Sequence, residues 1–346
     1  MNSSENPVRL NMRSVALRAG VSSATVSRVI NGSPAVREEL AEHVRSVIKE
    51  LNFVPNPIAT TLKYGRSKTY GLIVPDLTNP FFAEFLLSFE EVLIENDHEL
   101  LLATTQSSEP KLVHSVRRML TRHVDGVVLM ASEFDTRAIE PLFYHKVPVV
   151  TVDRRQAQKG AGDVAIDFED GFQKMVEHLR QLGHRHIGFI GGNESLRTSQ
   201  IRLKAFRRAL QQAGLTYRPK FVRYGDYRVA GGCAAMRSLL HENVRPTAVM
   251  TANDLTAIGA VRALHAAGVP VPSRMSITGF DDITLSDDIV PSLTTIHISQ
   301  KDMAHACIRA LDHSKMNVNR RGLLLSVGGS LIIRESTAPP STRSRD

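Results

Sequence analysis

Residues 11–32 read NMRSVALRAGVSSATVSRVING, and this stretch decides the architecture of the amino-terminal unit. Asn11 is placed to cap a helix whose Met12, Val15, Ala16 and Ala19 recur at i, i+3, i+4 and i+7, one helical face. Gly20 supplies the left-handed stop. Ser22 then caps a second helix with Val26, Val29 and Ile30 inward and Ser23, Ala24, Ser27, Arg28 and Asn31 on the other face, before Gly32 and Pro34 end it. A third helix is expected from Arg37 to Leu51, with Leu40, Val44, Val47, Ile48 and Leu51 inward. Two short helices about a tight Gly-containing turn make a helix-turn-helix. Its second helix would offer small polar groups and an arginine to base edges in a DNA major groove. The same pattern also serves plain three-helix packing, and these residues alone leave both readings open.

Composition narrows the choice. The chain has 346 residues, 42% hydrophobic and 23% charged, enough for two or three domains with a substantial core. Residues 1–68 hold ten Lys/Arg against five Asp/Glu, a net +5, which leaves +3 of the chain's +8 for the rest. A basic head suits nucleic acid, although a solvated basic arm has the same composition. Cys233 and Cys307 are too few and too far apart for a disulfide framework or a cysteine zinc site. No apolar run approaches the ~20 residues of a membrane span, and the first residues lack an apolar signal region. The expected location is therefore the cytoplasm, with no membrane partner. Phosphate-loop, dinucleotide-fold, hydrolase-elbow and zinc-protease motifs are absent, so neither an enzyme nor a cofactor is expected.

From Lys68 onward apolar strands alternate with amphipathic helices. Strands are expected at Tyr70–Val74, Leu100–Thr104, Val124–Met130 and Val147–Val152, with helices near 80–96, 109–122 and 135–145. A second series follows at His186–Gly191, Phe221–Tyr224, Ala248–Thr251 and Ser276–Gly279. Two βαβ series imply two similar α/β subdomains built on parallel sheets.

The run from VALRAGVSSATVSRVING through ELNFVPNPIATTL to LIVPDLTNPFF, followed by HLRQLGHRHIGFIGG, PTAVMTANDLTAIGAVRAL, MSITGFDD and PSLTTI, resembles the lactose/galactose repressor (LacI/GalR) family over nearly the whole chain. The resemblance implies a helix-turn-helix head (10–55), a hinge helix and linker (56–68), and a periplasmic-binding-protein-like core (69–338) of two doubly wound parallel-sheet subdomains. These would comprise about 69–166 with 298–325 and about 167–297 with 326–338, with chain crossings near 166, 297 and 326, and a disordered tail at 339–346. It further implies a homodimeric repressor of a pseudo-palindromic operator on double-stranded DNA, controlled by a small, sugar-like effector. DNA contacts are expected from Ser22, Ser23, Ala24, Thr25, Ser27, Arg28 and Asn31 in the head. Asn56, Ala59, Leu62 and Lys63 are expected to contact DNA from the hinge, where Leu62 matches the family's minor-groove wedge. Thr60 departs from the arginine that relatives often carry after the hinge alanine. The closing residues APPSTRSRD carry no heptads, which favours a dimer over a tetramer. A solute-binding protein without a DNA role is the alternative.

In open α/β sheets ligands bind beyond the carboxyl ends of the strands. Asp76, Asn79, Phe81 and Phe82 follow the first strand, Asp153 the fourth, and Thr198, Arg202, Asn253 and Asp281 follow strands of the second series. Carboxylates, amides, a guanidinium and aromatic rings form a polyhydroxyl-binding set rather than a catalytic one. By resemblance Arg202, Asn253 and Asp281 match effector contacts, and Asp153 and Tyr227 do so more weakly. Asn253 equally suits a helix cap, and Phe81 and Phe82 equally suit the core. His297, Ile298, Ser299 and Gln300 depart from sugar-binding relatives, which leaves the effector's identity open. The hinge reading predicts that Leu62→Ala weakens operator binding while ligand binding by the core is kept. Fluorescence anisotropy with operator duplex checks it, and unchanged affinity rejects the wedge.

Overall fold

Local capping starts the head as the sequence requires. In the computed structural model, which describes residues 10–54, 66–130, 133, 136–242, 245–317 and 320–341, the Asn11 side chain accepts from the Ser14 N–H at 3.1 Å. Ser14 Oγ accepts from the Asn11 N–H in return, a reciprocal capping box for α1 (Met12–Ala19). Gly20 ends α1 at φ 66°. Ser22 Oγ accepts from the Thr25 N–H at 3.1 Å and opens α2 (Ser23–Ile30). With α3 (Glu38–Glu50), these helices bury Val15, Val26, Val29, Val44, Val47 and Phe53. Three expectations shift here. Met12, expected on one face with Val15, Ala16 and Ala19, is 36% exposed at the first turn of α1. Leu40 is 39% exposed and Ala41 is buried in its place. The buried stripe of α3 runs Ala41, Val44, Val47, and Leu40 falls beside it. Ser27, placed on the exposed face by periodicity alone, is 7% exposed between Val26 and Val29.

The unit from Lys68 holds two parallel sheets. The first takes β1 (Thr69–Val74), β2 (Glu99–Thr104), β3 (Gly126–Leu129), β4 (Val149–Val152), β5 (Ala161–Ile166) and β11 (Leu324–Val327) in the order β11-β5-β4-β3-β1-β2. Its helices include α4 (Pro80–Glu95), α5 (Glu109–Thr121), α6 (Glu140–Tyr144) and α12 (Gln300–Met316). The second sheet orders β6 (Ile187–Gly191), β7 (Val222–Tyr224), β8 (Ala248–Thr251) and β9 (Ser276–Thr278) as β7-β6-β8-β9. Around it lie α7 (Phe168–Gln181), α8 (Arg197–Gln212), α9 (Val229–Leu240), α10 (Asp254–Ala266) and the short α11 (Leu285–Asp288). Finally β10 (Thr295–Ile298) pairs antiparallel with β12 (Gly329–Ile332). The chain passes between the halves from β5 into α7, from β10 into α12 and from β11 into β12. Among the described residues no helix is long and apolar enough to cross a membrane.

The periodicity missed β5 because its sequence AGDVAI carries a glycine and an aspartate, both poor strand formers. The fold accommodates the charge. Buried Asp163 accepts from Thr151 Oγ1 and from the N–H groups of Arg154 and Arg155, the last at 2.8 Å.

Aromatic rings fill the second half. Phe172 stacks on Phe280 at 5.4 Å between centroids, and Phe189 stacks on Phe206 at 5.0 Å. The pair α9–α10 packs backbone to backbone. A Cβ at Gly259 would lie 2.2 Å from the Val229 carbonyl oxygen, and one at Gly232 would lie 2.3 Å from that of Thr256. Gly259→Ala should therefore destabilise the core by about 1–3 kcal/mol through overpacking. This outweighs the roughly 1 kcal/mol an alanine gains in an ordinary helix interior. Urea denaturation checks the sign, and a stabilised variant would refute the close approach.

Candidate functional site

On α2, Ser22, Ser23, Ala24, Arg28 and Asn31 are exposed and Thr25 is half-buried. The hydroxyls of Ser22 and Thr25 meet at 2.9 Å, and the Asn31 amide donates to the Ser27 carbonyl. Arg18 pairs with Glu50 and Arg45 with Glu38, whereas Arg28 has no ion pair among the described residues. An exposed, uncommitted guanidinium among small hydroxyl side chains is what base-edge reading needs. The hinge positions Asn56, Ala59, Leu62 and Lys63 lie outside the described residues, as do 342–346 of the expected tail.

In the core, the carboxyl ends of both sheets meet around a cavity of about 750 Å³. All ten core residues singled out from sequence line it: Asp76, Asn79, Phe81 and Phe82 from the first strand's end, Asp153, and Thr198, Arg202, Tyr227, Asn253 and Asp281 from the second half. Asn79 is the N-cap of α4 and accepts from the Phe81 N–H at 3.1 Å. Phe81 is buried in the core as well as facing the cavity, and Phe82 meets it edge-on at 5.5 Å, half-buried.

Arg202 sits at the back wall, 9% exposed. Its guanidinium lies 4.2 Å from the Phe168 ring centroid, 5.3 Å from that of Phe280 and 5.5 Å from that of Tyr227. It donates to the Ala252 carbonyl, and its Nη1 is 3.9 Å from Asp281 Oδ1. Arg202 Nε and Asp281 Oδ1 are both buried without a hydrogen-bond partner. A buried pair with unused donor and acceptor capacity is costly, and it favours a polar ligand that completes the set. Burial pushes the Asp281 carboxyl well above the ordinary carboxylate range, against the pull of Arg202. Behind it, Asp254 is raised by burial to about 7 although it accepts from Thr295 Oγ1, the Ile283 N–H and Ser286 Oγ. Asp153, Tyr227 and Asp281 all adopt positive φ, of 60°, 63° and 112°. Backbones of this kind recur at ligand sites, where the surrounding structure holds them in place.

Asn253 caps α10. Its Oδ1 accepts from the Thr256 N–H at 3.1 Å, and its Nδ2 donates to the Tyr227 carbonyl at 3.1 Å. One amide hydrogen is left for a ligand, so capping and contact are compatible. Tyr227 lies so close over Gly192 that a Cβ there would be 2.0 Å from the ring, so any larger residue would displace the tyrosine.

Sequence reasoning missed three groups that join the halves. Arg228 pairs with Asp76. Glu133 accepts from the Arg197 N–H at 2.8 Å and from the N–H and hydroxyl of Thr198 at 3.0 and 2.7 Å, so it caps α8 from the opposite half. Glu84 accepts from the Thr284 N–H at 3.0 Å and its hydroxyl at 2.9 Å. The position of Arg228 at a strand's carboxyl end is a usable signal, whereas nothing local marks Glu84. Among the described residues no cluster of His, Cys, Asp and Glu could hold a metal ion.

Asp153 gives the site a pH signature. Burial raises its carboxyl from 3.8 to about 6, although it accepts from the Ile166 N–H at 2.8 Å and lies near Arg202 and Arg155. The folded state thus holds this proton more tightly than the unfolded chain. The associated penalty is absent below pH 4 and fully developed above pH 6 to 7. Asp153→Asn keeps an acceptor and removes the titration. Relative to the wild type, the variant should gain about 2 kcal/mol between pH 4.5 and pH 7.5. Urea denaturation at both pH values measures it, and a pH-independent difference would contradict the burial of the charge.

Comparison with known proteins agrees with this geometry. Residues 11–56 match the family described as bacterial regulatory proteins, lacI family, and residues 176–337 match a periplasmic binding protein-like domain. The ribose operon repressor of Haemophilus influenzae is 32% identical over 94% of this chain and 98% of its own length. The HTH-type transcriptional repressor PurR of the same species (strain PittEE) is 34% identical over 94% and 98%. The lac repressor dimer bound to operator and the anti-inducer ONPF superposes with a TM-score of 0.82 at 26% identity, covering 95% of this chain and 99% of that one. The transcriptional regulator CelR in complex with cellobiose is 32% identical with a TM-score of 0.72, covering 95% and 100%. A solute-binding protein without a DNA role does not fit the match of the head. The chain belongs to the LacI family: it is a DNA-binding transcriptional regulator, not an enzyme, with a helix-turn-helix head and a periplasmic-binding-protein-like effector core.

Proposed function

We propose that the chain acts as a homodimeric repressor of a pseudo-palindromic operator, and that a small polyhydroxylated molecule in the core cavity sets its operator affinity. The observation that carries this reading is the unmet hydrogen-bonding capacity of Arg202 and Asp281 in a cavity flanked by Phe82 and Tyr227. Hydroxyl groups both donate and accept, so one sugar can satisfy the guanidinium and the carboxyl together, while an aromatic ring covers its apolar face. The relatives named as ribose repressor and cellobiose-bound regulator are in keeping with this class. A two-fold dimer presents one head per half-site, as helix-turn-helix reading of a palindrome requires.

The test is selection of the full-length protein against random double-stranded DNA at fixed salt, with and without metabolite extract. A palindrome enriched in one condition and lost in the other is expected. Absence of enrichment in both refutes operator reading. On the selected duplex, Arg28→Ala should weaken binding roughly 10- to 100-fold, the worth of one bidentate base contact. Arg202→Ala should leave duplex binding intact and abolish its response to the extract. An Arg202→Ala protein that still responds would move the ligand away from the cavity.

A further inference from the structure

Every pairing within the six-stranded sheet is parallel, so all its strands start on one edge, opposite the cavity. Taken in sheet order, the residues entering the strands there are Arg320 and Arg321 before β11, Lys159 before β5, Lys146 before β4, Arg122 before β3 and Lys68 before β1. All six are exposed. A backbone bridge between Lys159 and Arg321 holds two of these entries side by side. Arg122, Lys146, Lys159 and Arg320 make no ion pair among the described residues, and Arg321 donates only to the Ala157 carbonyl. Of the acids at this edge, Asp125 enters β3 within the row and accepts from the Lys68 N–H at 3.1 Å, while Glu95, Asp97 and Glu99 flank the start of β2 at its far end. Asp97 is already paired with Lys68. Strands lie 4.7–4.9 Å apart, so the row from β11 to β1 spans about 20 Å, the length of roughly six base pairs.

Lys68 is also where the chain arriving from the helix-turn-helix head enters the core. Residues 55–65, at most roughly 40 Å of chain, tether the head to this edge. The exposed row that ends at this tether point, in which Arg122, Lys146, Lys159 and Arg320 make no ion pair among the described residues, matches the duplex phosphate backbone and no other partner indicated by the fold.

We propose that the strand-start edge of the core's first sheet is a second, sequence-independent DNA contact, in which Arg122, Lys146 and Lys159 take phosphates of the duplex that the head reads. The proposal rests on the DNA-binding function assigned above. It adds affinity without specificity, because phosphate contacts fix position and carry no base information.

The test uses full-length protein with Arg122→Gln, Lys146→Gln and Lys159→Gln combined. Binding to the selected operator duplex and to a random duplex of equal length is measured by anisotropy from 50 to 200 mM NaCl. Each lost phosphate contact reduces the slope of log K against log[salt] by about 0.9. The triple variant should therefore show a slope shallower by about 2–3 per engaged protomer, and a random-duplex affinity at least about tenfold weaker at the low-salt end. Arg237→Gln with Arg262→Gln, exposed in the other half, removes charge elsewhere and should leave the slope unchanged. An unaltered slope in the triple variant, with wild-type thermal stability, overturns the proposal. So does an equal change in the control, which would mean diffuse charge rather than contact. A wild-type chain that binds neither duplex would overturn the DNA-binding assignment itself, and the proposal with it.

Discussion

The core is organised around a cation taken out of water. Arg202 lies under three aromatic rings, with Asp281 at 3.9 Å and the Ala252 carbonyl as its acceptor. These partners come from the first residue of α7 and from the loops after β7, β8 and β9. Burying a guanidinium costs several kcal/mol unless neighbours compensate, and here the ring faces and one buried acid do so incompletely. Four segments are thereby held around one charge whose remaining hydrogen-bonding capacity faces a cavity. The strained backbones of Asp153, Tyr227 and Asp281 belong to the same arrangement.

The contacts across the cleft are of another kind. Asp76–Arg228, Glu133 on the start of α8, and Glu84–Thr284 are polar and largely solvent-exposed. Exposed ion pairs contribute about 0–1 kcal/mol each, and hydrogen bonds in water little more. The two halves are therefore joined across the cavity by interactions whose sum is modest. A ligand that bridges the halves needs only a few kcal/mol of differential affinity to set their relative orientation. Tight burial behind the cavity and weak latches across it together give a sensor that a small molecule can move.

Much of this was legible in the sequence for identifiable reasons. The head announces itself through Asn11, Gly20 and Ser22, whose capping chemistry is local. The cavity residues other than Tyr227 were found because strand carboxyl ends carry ligands in parallel sheets, a rule of topology rather than of residue type, and Tyr227 came from the family resemblance alone. Local periodicity failed at β5, where Asp163 is buried by hydroxyl and backbone donors from β4 and the loop after it. On α3 it favoured the larger Leu40 over Ala41, which packing selected by position. It could not show that Ser27 turns inward. The bridges through Glu84, Glu133 and Arg228 join residues far apart in the chain, and no short motif records them. The hinge positions rest on family resemblance alone.

The central claim is that the cavity and the operator report to one two-state equilibrium. The most direct measurement is calorimetric titration of the best-binding member of a panel of monosaccharides, disaccharides and purines, with and without saturating operator duplex. Linkage requires the operator to change ligand affinity by the same factor by which the ligand changes operator affinity. Equal factors, five- to 150-fold if the coupling is of the usual roughly 1–3 kcal/mol, are the result this account predicts. A ligand that binds the cavity with the same affinity whether or not operator is present would contradict it.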